Sequence, residues 1–218
     1  MTIDNHTETK YGIYIIESLK KDDPKDGEIL SQILNVCRIK NSYHPIKTQE
    51  DLHDALSKFK LSKFRYLHLS FHGNNSGFYL SDGTVIKNSD FSELLATNFM
   101  KRRIFMSSCK TSNFDLASKL ITKNQLFSLV GSPINIRFDK ASLFFPTFYH
   151  LMNELDNNKI GKDNLKKSLK SCVDLFQIRI NYYAFLRKNG IWNKNFIREY
   201  TYSPNKKAIN KKRKVRMI

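Results

Sequence analysis

"RYLHLSFHGNNSGFYL" spans Arg65–Leu80. Tyr66, Leu67, His68, Leu69, Ser70 and Phe71 read as a buried strand, and the run then breaks at His72-Gly73, ahead of two asparagines and a second glycine. Such an ending is either a plain turn or a strand end that presents an imidazole. A histidine there is most often a turn or core residue. His68, inside the strand, reads as a core histidine.

Working outward, continuous apolar runs alternate with helical periodicity. Segments 12–18, 65–71, 103–108 and 126–131 read as strands, with a shorter one near Tyr43–Lys47. Residues 28–38, 52–59, 90–95, 113–121, 141–155 and 165–186 carry helical spacing. Thr48 with Asp51 three residues later predicts a helix N-cap. Segment 77–86, with Asp82-Gly83 as its turn, predicts a short hairpin, and 196–203 a last strand. This order, with strands that are apolar throughout, predicts an α/β three-layer sandwich with a mostly parallel sheet and helices on both faces.

In such sheets ligands bind beyond the carboxyl ends of the strands. His72 and Cys109 both fall there, and a right-handed crossover between their strands places those strands side by side. Cys37 and Cys172 lie in helical segments and read as small buried hydrophobes. A cysteine and a histidine on one rim form a nucleophilic arrangement. The thiolate attacks, the imidazole protonates the leaving amine, and the Gly73 and Cys109 N–H groups are placed to hold an oxyanion.

The 218-residue chain fits one domain, 1–204, followed by a basic tail, 205–218. No apolar run approaches the roughly 18 residues of a membrane span, and the N-terminal MTIDNHTETK lacks the apolar centre of a secretory signal. Three distant cysteines argue against disulfides or a zinc site. The expected setting is cytoplasmic, with no cofactor and no metal. The formal net charge is +17, and the tail holds seven basic residues and no acidic one. Repulsion among them predicts a disordered tail, and its basicity reads either as a contact for nucleic acid or another polyanion or as a bias of composition.

The stretches "LHLSFHG", "GFYLSDG", "IFMSSCKTS" and "LVGSPINIRFDKASLFFPTFYHLM", in this order, resemble the caspase-like cysteine peptidases, the superfamily of caspases, metacaspases, gingipains and separase, and most of all its CHAT-type branch. The resemblance covers 65–155. It implies His72 and Cys109 as a catalytic dyad, Gly73 in the oxyanion hole and metal-free cleavage of a protein substrate. It also implies an effector of prokaryotic antiviral defence or cell death, activated by a partner or ligand. Asp139 matches the acid that such domains carry beside the pocket for the residue before the scissile bond. On local grounds alone Asp139 is a helix cap. Pro133 stands where the family usually has an aromatic residue. The alternative is a catalytically silent basic module binding nucleic acid or a protein.

Overall fold

A computed structural model of the chain describes residues 9–95, 99, 101–155, 161–188 and 191–215. The polar residues 1–8 lie outside this set. The elements in chain order are β1 (Lys10–Ser18), α1 (Asp26–Val36), β2 (Asn41–Pro45), α2 (Gln49–Ser62), β3 (Phe64–Asn74), β4 (Gly77–Tyr79), β5 (Val85–Lys87) and α3 (Asn88–Leu94). There follow β6 (Arg103–Met106), α4 (Phe114–Lys123), β7 (Ser128–Gly131), α5 (Phe138–Leu155), α6 (Lys162–Phe176), β8 (Ile180–Lys188), β9 (Ile191–Tyr202) and β10 (Ile209–Lys214).

The main sheet runs β10-β9-β8-β7-β6-β3-β1-β2. From β2 to β7 every pairing is parallel, and β8, β9 and β10 add antiparallel strands beyond β7. The expected α/β sandwich is the architecture observed, because the parallel strands are apolar on both faces and each face needs a helical layer. Tyr14, Leu67, Ile104 and Leu129 point to one core with Leu56 of α2, Phe91 of α3 and Leu120 of α4. Ile13, Tyr66, Phe105 and Val130, one residue off, point to the other with Leu30 of α1, Phe148 of α5 and Leu169 of α6.

Thr48 caps α2: its hydroxyl accepts from the Asp51 N–H at 3.2 Å, and the Asp51 carboxylate accepts from the Thr48 N–H at 3.0 Å. The 77–86 hairpin forms as β4 and β5, with Gly83 in the left-handed region at φ 95°. Among the described residues no helix is long and apolar enough to cross a membrane.

Three expectations need correction. The strand does not break at His72: β3 continues to Asn74, and His72, Gly73 and Asn74 pair antiparallel with Tyr79, Phe78 and Gly77 of β4. The helix expected over 165–186 ends at Phe176, where Gln177 turns left-handed at φ 55°, and β8 begins at Ile180. There Ile180, Tyr182 and Ala184 alternate onto one sheet face, and β-branched and aromatic residues fit a pleated surface. The tail is not disordered over 209–214. It forms β10, paired with β9 from Ile209–Thr201 to Lys214–Phe196, so the edge of β9 supplies the order that charge repulsion opposes.

Candidate active site

The rim is built from three strand ends. Ser18 of β1 lies opposite Phe71 of β3, and Leu69 of β3 opposite Met106 of β6. His72 follows Phe71 directly. Cys109 lies three residues beyond Met106, after Ser107, whose N–H continues the ladder by donating to the Leu69 carbonyl at 2.8 Å.

The His72 ring is part-exposed, and its Nε2 meets the Asp23 carboxylate at 2.8 Å. The Phe138 ring stands edge-on to it, with centroids 5.5 Å apart. Burial works to raise the Asp23 carboxyl, but hydrogen bonds from His72 and the Lys20 N–H, with the His72 and Lys25 charges, leave it below the ordinary carboxylate value.

The Cys109 sulfur is part-buried against the Ile136 backbone, accepting from its N–H at 3.4 Å and approaching its carbonyl at 3.5 Å. The next residue, Lys110, donates its N–H to the Ile134 carbonyl at 3.3 Å and turns left-handed at φ 58°. The loops after β6 and β7 are thus joined over the site. No hydrogen bond links His72 to Cys109. The segment 136–138 bridges them, with Ile136 on the sulfur and Phe138 on the imidazole.

Gly73 lies against the turn that holds Cys109. A Cβ there would collide with the Thr111 methyl and come within 3.2 Å of the Cys109 carbonyl. The glycine is therefore required by packing, in addition to any contact its N–H makes with a substrate.

Asp139 sits in the first turn of α5, so it is not the residue that precedes the helix. Its carboxylate is exposed and forms a two-point ion pair with Arg137, at 3.1 and 2.8 Å. These hydrogen bonds hold its carboxyl below the usual range, with burial opposing and the Lys140 N–H assisting. His68 is fully buried, with Nδ1 3.2 Å from the Tyr149 hydroxyl, and burial lowers it to about 3, so it is a neutral core residue. Cys172 is buried and pushed up to about 12 by desolvation, which leaves it an inert thiol. Among the described residues no group of three or more histidine, cysteine or acidic side chains is arranged to hold a metal ion.

Sequence reasoning missed the layer beneath the rim. Asp26, the first residue of α1, is buried and accepts from the hydroxyls of Ser70 on β3 and Ser107 after β6. Each serine stands two residues before a member of the proposed dyad. Glu17, also buried, accepts from the Gly27 N–H at 2.7 Å, the Ser70 hydroxyl at 3.2 Å and the Tyr43 hydroxyl at 2.6 Å. It satisfies a free amide of the α1 N-terminus. Burial pushes Asp26 up to about 6, against the two serine donors and with help from the Glu17 charge. The signal was present in the sequence: Glu17, Ser70 and Ser107 are polar residues at the ends of apolar strands, and a buried polar group needs a partner.

No protein-family model matches the chain and no curated protein matches it, so the caspase-like resemblance rests on the quoted motifs alone.

Proposed function

We propose that the protein is a cysteine endopeptidase with Cys109 as nucleophile and His72 as proton donor to the leaving amine. The observation that supports this best is that His72, on β3, and Cys109, in the turn after the adjacent parallel strand β6, are both in contact with one segment, 136–138. The sulfur adds to the scissile carbonyl carbon while the Gly73 and Cys109 N–H groups take the oxyanion. The C–N bond breaks, the amine leaves with the imidazole proton, and water hydrolyses the thioester. Asp23 holds the ring through its contact with Nε2.

Asp139 selects a cationic side chain before the scissile bond, since a carboxylate binds guanidinium at two points. Arg137 occupies that carboxylate here. This occupancy, together with the separate partners of sulfur and imidazole, supports activation by a partner or ligand that moves 136–139. An effector role beside a separate sensor fits that reading.

The test is cleavage of candidate substrate proteins, followed by mass spectrometry, with Cys109→Ala and His72→Ala as controls. Each substitution removes cleavage, and the double variant is no worse than either single one. Cleavage surviving in Cys109→Ala rejects the proposal. Iodoacetamide reacting with Cys37 in preference to Cys109 also counts against it.

A further inference from the structure

The basic C-terminal strand closes one end of the sheet. Among the described residues β10 pairs only with β9, and all six of its residues are exposed. Its outer edge keeps backbone N–H and C=O groups available for another strand. A groove of about 1320 Å³ runs beside it, with Lys212–Val215 on one side and residues of α3 and α4, including Glu93, Asp115 and Lys119, on the other.

We propose that this edge docks an acidic, extended peptide segment of a partner protein, added as the next strand of the sheet. The choice of occupant follows from charge. β10 reads INKKRK, and no salt bridge engages Lys211, Lys212 or Lys214 among the described residues. Arg213 is taken, paired with Glu199 at 2.9 Å and stacked 4.1 Å from the Phe114 ring centroid. A second copy pairing edge to edge would oppose cation to cation, which destabilises a ladder. A strand carrying acids reverses the sign.

A nucleic acid fits less well. Along a strand, side chains alternate between faces, so Lys211 lies on the Arg213 side and Lys212 and Lys214 on the other. Lys212 accordingly sits 4.2 Å from the Phe196 ring centroid, whereas Arg213 meets Phe114 of α4. A phosphate backbone lying on the surface meets one face. An added strand meets both and also uses the open backbone.

The experiment is fluorescence anisotropy on the full chain with a labelled, capped octapeptide rich in glutamate, with valine and threonine. Its lysine twin and an eight-nucleotide oligothymidylate are the competitors. Two further copies of the acidic peptide are N-methylated at alternate residues, one in each frame. An added strand pairs one frame of amides only. One methylated copy therefore binds about tenfold or more weakly, and the other binds like the parent. The Lys211→Glu/Lys212→Glu/Lys214→Glu variant loses the parent peptide by at least as much. Because the methylated copies act through the ligand, their result does not depend on a variant's folding. Equal binding of both methylated copies overturns the proposal. So does tighter binding of the oligothymidylate that the triple variant loses. Absence of any acidic-peptide binding overturns it too, leaving the lysines as a guard against edge pairing.

Discussion

Replacing Asp26 by asparagine tests the buried layer beneath the rim. In the folded protein this carboxyl is pushed up to about 6 from its ordinary 3.8, chiefly by burial. A raised folded value means that the native state binds the proton more tightly than the unfolded chain. The associated stabilisation is complete below 3.8 and is lost as pH rises through 6. The gap, 6 − 3.8, is about 2 pH units. At ~1.36 kcal/mol per unit, the wild type should lose about 3 kcal/mol relative to an uncharged side chain between pH 3.5 and pH 7. Asparagine removes the titration. It also disturbs the two serine hydrogen bonds, but that cost does not vary with pH and cancels when the difference is followed across pH. Urea unfolding of both proteins at half-unit steps from pH 3.5 to 7 reads it out. The stability of Asp26→Asn minus that of wild type should rise by about 3 kcal/mol over the range, mostly between pH 4 and 6. A flat difference would refute the reasoning, and a falling one would mean that the serine donors outweigh burial.

Three further outcomes follow from the rim. Gly73→Ala should destabilise by roughly 1–3 kcal/mol through overpacking. Thr111→Ser, which removes the methyl it strikes, should recover part of that loss, and strictly additive urea midpoints would exclude the contact as the cause. Arg137→Ala should leave the urea midpoint nearly unchanged, because its pair with Asp139 is exposed. It should nevertheless raise kcat/KM for substrates with Arg or Lys before the scissile bond; an unchanged value would remove Arg137 as the competitor for Asp139. Asp23→Asn should lower kcat/KM about tenfold or more and alter the pH–rate profile, as loss of an orienting carboxylate does. An unchanged profile would leave the Asp23–His72 contact without a role in the chemistry.

The parallel half of the fold was legible because buried strands and amphipathic helices differ in period, and Thr48 marked the start of α2 in so many letters. The second half of the 165–186 run was misread because Ile180, Tyr182 and Tyr183 are apolar at spacings compatible with either period. The decision fell to the exposed edge of β7, which pairs with β8. The tail was misread for a related reason: charge repulsion is visible in a sequence, and the free edge of β9 is not. At the site, His72 and Cys109 stood out by residue type and position. Asp23 did not, because it lies 49 residues from His72 in a charged loop and meets it only through the fold. Ile136 acts through its backbone, which no side-chain pattern reports.

The order of strands also has a kinetic side. From β8 to β10 each strand pairs with the next strand in the chain across a short connection, so this end of the sheet is a meander of local contacts. The other half is not local: β3 must find β1 on one flank and β6 on the other, across intervening helices. Long-range parallel pairing forms slowly, because loop closure precedes the contacts that reward it. We therefore expect amides of β8 and β9 to gain protection from hydrogen exchange before those of β3 and β6 during refolding; simultaneous protection in a pulse-labelling experiment would rule this out. His72 lies on β3 and Cys109 just beyond β6, so the chain would acquire its sheet edge and basic terminal strand while the two side chains of the proposed dyad are still apart.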